Sequence, residues 1–322
     1  MKKHKWFFGL FIASTTLLVS AELFAWLAFG LGNPPLYESS SDYGYRALPN
    51  QNLRRFGNRI FYNAEGLRSE PITTKPAPGT IRVLCVGDSI TYGGTQTDQA
   101  LTYPYQLQKI LNRNNSTRFE VLNASAGGWA IANQEAYLRR FGIYNSHFVV
   151  LQMASHDLFQ PKTSGSMVGK LANFPNRKPF SALEEGFFRY FLPRYLPSLQ
   201  PAPDPGVKTL PSKKDLDRNI ASLFTINNLV KQQKGQLVVF LIEQPSEFEP
   251  KDALTSLGKQ VLSQKVKELN LPYISLKEDF RQNGDKKLFY DPIHPNPDGN
   301  KVMAKAVERL IRGEVKIAND ML

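Results

Sequence analysis

Short apolar runs alternate with amphipathic stretches from residue 81 to the end of the chain. Five of the runs have the length and composition of buried strands: IRVLCV, FEVLNAS, HFVVLQM, QLVVFLIE and YISL. The stretches between and after them, among them TYPYQLQKILNR and NPDGNKVMAKAVERLIRG, carry apolar residues three and four positions apart, which predicts helices. Strands that alternate with helices predict an α/β fold with a parallel sheet and helices on both faces. The ligand site of such a fold lies beyond the carboxyl ends of the strands.

The first 32 residues follow another pattern. Lysines at positions 2, 3 and 5 precede an apolar run over residues 6–32 that only Glu22 and a few hydroxyl side chains interrupt. Because about 20 apolar residues cross a bilayer, we expect a transmembrane anchor. The lysines should stay in the cytoplasm, and the chain beyond residue 32 should be exported.

A cleaved signal peptide is the alternative interpretation of this segment. Val19-Ser20-Ala21 has the small residues of a cleavage site. Apolar sequence continues from Leu23 to Gly32, beyond that site, and this favours the retained anchor.

The rest of the chain divides into an extension and a main domain. Residues 33–50 are rich in turn-forming residues and read as a linker, and Gly57-Asn58 marks a hairpin, so residues 33–80 should form a small β-rich extension. The main domain should span residues 81–322. An insertion at about 158–212, crowded with aromatic residues, arginines and prolines, is expected to be a lid or binding element. A helical hairpin on the side of the domain is the alternative.

Charge and cysteine content exclude several classes. The net charge is +12, but no nucleic-acid-reading motif accompanies it, so we expect a solvated basic surface and no nucleic-acid partner. The single cysteine, Cys85, lies in a predicted strand and reads as a small buried hydrophobe. An exported chain without a disulfide points to a bacterial cell envelope. No cluster of histidine, cysteine and carboxylate residues has metal-ligand spacing, so neither a metal nor another cofactor is expected.

A serine stands where the first strand of the main domain ends. The stretch VGDSITYGGT places Ser89 between that strand and a helix start, where its hydroxyl can face a ligand. A serine needs a base to become a nucleophile. Near the other end, YDPIHPNPDGN supplies Asp291 and His294, three residues apart. The aspartate can orient one imidazole nitrogen while the other faces Ser89, so these three residues predict a catalytic triad.

These motifs and their order resemble the SGNH/GDSL hydrolase superfamily over about residues 81–312. Its first block matches Gly87-Asp88-Ser89, and its last block matches the segment that contains Asp291 and His294. Its second block matches VLNASAGGWA, where Gly128 falls at the position of an oxyanion-hole glycine. The resemblance implies a flavodoxin-like, three-layer α/β/α fold and serine ester hydrolysis.

One block departs from the family pattern. Where the family usually has Gly-x-Asn-Asp, this chain has Ala154-Ser155-His156-Asp157, so His156 stands at the position of the oxyanion-binding asparagine. An imidazole N–H can also donate a hydrogen bond. The oxyanion hole is therefore expected to comprise the Ser89 and Gly128 amides together with His156.

We thus expect an extracytoplasmic serine esterase anchored in the inner membrane of a bacterium, with its domain in the periplasm or outside the cell. Anchored members of the superfamily resemble carbohydrate esterases and acyltransferases, which implies an O-acyl group, foremost O-acetyl, on an envelope or exported polysaccharide. Two alternatives stay open: an O-acyltransferase that uses the same triad, and a glycan-binding or assembly protein without catalysis. The sequence identifies no protein partner.

Overall fold

A computed structural model of the chain describes residues 2–113, 117–199, 212–243 and 253–320. It begins with one long helix, α1 (Lys2–Phe29). The part from Lys5 to Phe29 is long and apolar enough to cross a membrane, and none of its most apolar stretch is buried against the rest of the protein. Length and composition of this kind fit either an anchor or a signal sequence.

Two antiparallel hairpins follow α1. The first pairs β1 (Tyr37–Ser40) with β2 (Gly44–Ala47), and the second pairs β3 (Gln51–Arg55) with β4 (Asn58–Tyr62). The expected β-rich extension is therefore confirmed. The linker predicted over residues 33–50 is wrong, because the tyrosines of the first hairpin are buried in the main core instead of facing solvent.

The main sheet has five parallel strands, as predicted. They are β5 (Thr80–Gly87), β6 (Arg118–Ser125), β7 (Phe148–Ala154), β8 (Gln236–Ile242) and β9 (Tyr273–Ser275). Their order is β6-β5-β7-β8-β9, so the order in which strands are added to the sheet reverses between β5 and β7. Such a switch point opens a crevice at the carboxyl ends of the two strands.

Helices cover both faces of the sheet, which confirms the three-layer α/β/α architecture. The remaining helices are α2 (Ser89–Tyr92), α3 (Tyr103–Leu111), α4 (Ile131–Phe141), α5 (Ala182–Glu185), α6 (Leu192–Tyr195), α7 (Lys213–Gln232), α8 (Ala253–Glu268), α9 (Lys277–Asn283) and α10 (Pro297–Asp320). One core layer joins α4, α7, α8 and the hairpins, and the other joins α3, α9 and α10.

The segment predicted as an insertion contains little regular structure until residue 182. From there α5, a π-helical stretch (Gly186–Phe191) and α6 follow one another without a break. This helical segment lies against α1. Residues 200–211, the end of the predicted insertion, lie outside the described residues, and the division of the chain into domains stays a prediction.

Candidate active site

Ser89 sits on a tight turn between β5 and α2. Asp88 caps the helix, because its carboxylate accepts a hydrogen bond from the Ile90 amide at 2.8 Å. The helix is one turn long and ends at Gly93, whose φ of 74° lies in the left-handed region. Gly87 must lack a side chain, since a Cβ there would lie 2.1 Å from the Thr91 hydroxyl oxygen. The glycines of VGDSITYGGT therefore shape the turn that carries the serine.

Ser89 and His294 are brought together across 205 positions of sequence. The Nε2 atom of His294 lies 3.0 Å from the Ser89 hydroxyl oxygen, and its Nδ1 lies 2.8 Å from Asp291 Oδ2. The other carboxylate oxygen of Asp291 accepts the amides of Ile293 and His294, both at 2.8 Å. One aspartate thus orients the imidazole and also folds the loop that carries it.

Partial burial opposes the ionisation of Asp291, but the hydrogen bonds from His294 and Ile293 outweigh it and hold the pKa of this carboxyl below its usual value. The loop is closed by a bridge between Phe289 and Pro295. The site is nevertheless open, because the side chains of His294 and Asp291 are 36% and 42% exposed. Large substrates and water can both reach it.

Gly128 lies in the loop after β6, beside the turn that carries Ser89. We call this turn the nucleophile turn after the predicted role of that serine. A Cβ at the preceding residue, Gly127, would come 4.0 Å from the Ser89 Cβ. The Gly128 carbonyl accepts hydrogen bonds from the Gln160 and Thr163 side chains, so residues of the predicted insertion fix the peptide plane of this loop. Ser89 is the first residue of α2, and its amide therefore has no partner within the helix.

His156 follows β7 in a short 3-10 helix (Ser155–Phe159) and faces two carboxylates. Its Nε2 lies 3.3 Å from Asp157 Oδ1. One imidazole nitrogen of His156 and one carboxylate oxygen each of Asp157 and Asp88 lie within 4.8 Å of one another. Burial, together with the neighbouring Asp157 charge, raises the pKa of Asp88 to about 7, while His156 opposes the rise. His156 therefore lies beside Asp88, the residue that precedes Ser89.

Asp88, His156 and Asp157 could together hold a cation. Sequence spacing did not predict this group, because the fold brings Asp88 to a pair 68 positions away. One oxygen of each carboxylate already accepts a backbone amide, from Ile90 and from Ala154. The members of the group thus have hydrogen-bond and charge partners within the chain. The absence of a metal stays a prediction.

Polar residues inside the two strands that flank β5 support the turn, and sequence reasoning missed this role. Gln152 of β7 accepts hydrogen bonds from the Asp88 amide at 3.3 Å and the Thr91 hydroxyl at 3.1 Å. Asn123 of β6 donates to the Thr91 carbonyl at 2.8 Å. The available signal was a polar side chain within an otherwise apolar run, since such a buried group needs a partner.

Solved structures with a similar fold include two esterases and the protein TesA. They are the acetylxylan esterase Axe2 from Geobacillus stearothermophilus (16% identity, TM-score 0.46, 72% of this chain and 94% of that one), a two-domain esterase, CEX, active on acetylated mannans (12%, 0.46, 73% and 49%) and TesA (15%, 0.45, 72% and 98%). A comparison with curated proteins gave no match.

A family comparison is more specific. The profile of the GDSL-like Lipase/Acylhydrolase family matches residues 85–302, which is more than half of the 322-residue chain and runs from the strand before Ser89 into the last helix. The chain belongs to this family of ester hydrolases, the SGNH/GDSL acylhydrolases.

Proposed function

We propose that this protein is a serine esterase in which Ser89, His294 and Asp291 form the catalytic triad. The observation that carries the proposal is the unbroken contact from the serine hydroxyl through both imidazole nitrogens to a carboxylate, 3.0 Å and 2.8 Å long. Both distances lie within the range over which a nucleophile and its base exchange a proton.

The reaction has two halves. Ser89 Oγ attacks the acyl carbon while His294 Nε2 takes the hydroxyl proton, and Asp291 stabilises the resulting imidazolium. The tetrahedral intermediate expels the alcohol, which takes the proton from His294, and the acyl group remains on Ser89. A water molecule then attacks this ester with His294 again as base, and the carboxylic acid leaves as Ser89 regains its proton.

The oxyanion of each tetrahedral intermediate needs hydrogen-bond donors. The Ser89 and Gly128 amides and the His156 ring are the proposed donors, which follows the sequence expectation. Support comes from the unpaired first-turn position of Ser89, from the loop beside it, and from His156 next to Asp88.

The proposed substrate is an O-acyl ester, foremost an O-acetyl group, on an envelope or exported polysaccharide. The exposure of His294 and Asp291 supports a bulky polymer as the acyl carrier. Tyr290 and Ile293, both exposed beside the triad, offer apolar surface for the acyl group or a sugar ring. Hydrolysis is favoured over acyl transfer, because an open site admits water to the acyl-enzyme.

We further propose that α1 anchors the enzyme in the inner membrane, with the catalytic domain in the periplasm or outside the cell. The lysines at the start of α1 and its exposed apolar surface support this orientation. The full chain should then be released from membranes by detergent and retained on washing with alkaline carbonate.

An aryl acetate assay on the full chain in detergent tests the chemistry. Ser89→Ala and His294→Ala should each reduce turnover by on the order of 10⁴–10⁶, because members of a triad act as a unit. Ser14→Ala, at an exposed serine of α1, is the matched control and should keep full activity. Thermal unfolding of each variant checks that the fold is intact. Full turnover in the Ser89→Ala protein would refute the mechanism.

A further inference from the structure

Exposed aromatic side chains surround the point at which α1 ends. Four of them come from the continuous helical segment formed by α5, the π-helical stretch and α6. One precedes this segment by two residues, and one comes from the tip of the β3–β4 hairpin. We call this set the aromatic collar: Phe56, Phe180, Phe187, Phe188, Phe191 and Tyr195. Phe180 is 98% exposed and Phe188 is 54% exposed. Phe187, Phe188, Phe191 and Tyr195 form a chain of ring contacts, and the Phe56 ring lies 6.3 Å from that of Phe29 at the end of α1. Exposed apolar surface of this kind marks an interaction site.

Hydrogen bonds hold the helical segment to α1. Glu22, the one acidic residue of the apolar run, accepts the backbone amides of Ala182 at 2.6 Å and Leu183 at 2.9 Å. Just after α1, the Gly32 amide donates to the Glu185 carboxylate at 2.7 Å. The aromatic residues are thereby fixed beside the last two turns of α1.

The hairpin tip is fixed to the same place. The Phe56 amide donates to the Phe29 carbonyl at 3.0 Å, and the Phe56 ring lies 5.9 Å from that of Tyr190. Arg55 and Glu185 form a fully buried ion pair that ties the hairpin to the helical segment. Such a pair needs exact partners, so it fixes the position of one element on the other.

Cationic side chains lie around the collar. Arg177, Lys178 and Arg194 are exposed within or next to the helical segment, and Arg54 and Arg59 are exposed on the hairpin. The two hairpin arginines also line a cavity of about 740 Å³ that Trp26 and Leu27 of α1 close from the other side. The acidic residues nearby are fewer: Glu184 is exposed in the helical segment, Glu70 pairs with Arg59 at 3.1 Å, and Asp98 lines the same cavity.

We propose that the aromatic collar inserts into the interfacial layer of the bilayer that α1 crosses, on its exported side, with the surrounding cations against anionic lipid headgroups. The proposal rests on the anchoring part of the proposed function. Aromatic residues favour the level of the headgroups, and each nearby cation adds attraction to anionic lipid. The bilayer is the occupant that α1 itself brings to this surface. Catalysis would then take place at a fixed height above the membrane.

Site-directed spin labelling of the full chain in vesicles of phosphatidylethanolamine and phosphatidylglycerol tests this. The one native cysteine, Cys85, is fully buried, so a nitroxide reagent will label an introduced thiol. The probes are Phe188→Cys in the collar, Leu17→Cys in α1, and Lys305→Cys, which is exposed on α10 on the other face of the sheet. Collision rates are measured with oxygen, which concentrates in lipid, and with an aqueous nickel chelate.

We expect the labels at positions 188 and 17 to collide several-fold more with oxygen and several-fold less with the nickel chelate than the label at position 305. A label at 188 that behaves like the one at 305, while the label at 17 lies in lipid, overturns the collar proposal and leaves the anchor intact. Protection of 188 from both reagents indicates a covering protein, such as a second copy, and also overturns it. An aqueous label at 17 rejects the anchor and the collar together, whereas the aryl acetate assay continues to report the triad.

Discussion

The nucleophile turn and the loop that carries Asp291 and His294 differ in what holds them in place. Asp88 is buried, and side chains from the two strands that flank β5 hold the turn after it. The loop is largely exposed, and its hydrogen bonds come from its own residues. The sheet therefore determines the position of the serine, whereas one aspartate determines the position of its base. Apart from Ser89 itself, substitutions should be costly to catalysis in the loop and costly to stability in the turn.

Asp291 gives the largest expected effect among the predictions that separate the two regions. Asp291→Ala should reduce aryl acetate turnover by on the order of 10²–10⁴, because the imidazole loses its orienting charge and two backbone amides of the loop lose their common acceptor. Asp291→Asn can still accept the Ile293 and His294 amides, so it separates loop order from charge. Unfolding free energies should stay within about 1 kcal/mol of the parent, as for other exposed positions.

If both Asp291 variants lost activity and stability together, the loop would be part of the folded framework, and the contrast with the nucleophile turn would fail. Equal turnover of the Asp291→Asn protein and the parent would show that the carboxylate charge is dispensable.

His156, beside Asp88 of the turn, gives an intermediate effect. His156→Ala should lower the acylation rate by roughly 10- to 1000-fold, the range for one oxyanion donor, while His156→Asn should retain or raise it because it restores an uncharged donor. The pH profile separates donor from base. A base at His294 must be unprotonated to act, so the loss of activity at low pH should persist in the His156→Asn protein.

His147→Asn is the control for this pair. This exposed histidine stands just before β7, at the end of the strand opposite His156, and its Nδ1 accepts the Arg82 amide. If the low-pH loss disappeared in His156→Asn and not in His147→Asn, His156 would be the base.

Asp88 gives the smallest effect on catalysis and a distinct effect on stability. Burial and the Asp157 charge raise the pKa of Asp88 to about 7, whereas an unfolded aspartate titrates near 3.9. Between these values the folded state binds the extra proton, so the stability of the parent should fall as the pH rises from about 4 to 7. Asp88→Asn removes this titration. The unfolding free energy of the variant relative to that of the parent should therefore be higher at pH 8 than at pH 5, by roughly 1–4 kcal/mol.

Urea unfolding at both pH values measures the difference. Asp98→Asn is the matched control, because Asp98 also caps a helical turn but is only half-buried. An equal pH response in the Asp88→Asn protein and the parent would show that Asp88 is not a proton-binding group of the native state.

Sequence patterns predicted the parallel sheet because its strands are continuous apolar runs. Motif order also predicted that Ser89, Asp291 and His294 meet, and the structure brings them into contact, while their catalytic roles stay a proposal. Patterns missed the β1–β2 hairpin, because its strands are short and lie among many turn-forming residues. Its buried tyrosines give no continuous apolar run. Patterns also missed the Asp88–Asp157 pair and the roles of Gln152 and Asn123. Those contacts join separate strands, and no local period records which strands become neighbours.

The Glu22 contact also bears on the order in which the structure can be completed. Its carboxylate accepts amides 160 positions later in the sequence, so this contact cannot form until the chain through residue 183 has been synthesised. Closing so long a loop is entropically unfavourable and slow compared with forming local hairpins. The packing of the helical segment on α1 therefore belongs to the last steps of folding. A chain truncated before residue 182 should leave α1 with an acidic side chain that lacks these two amide donors.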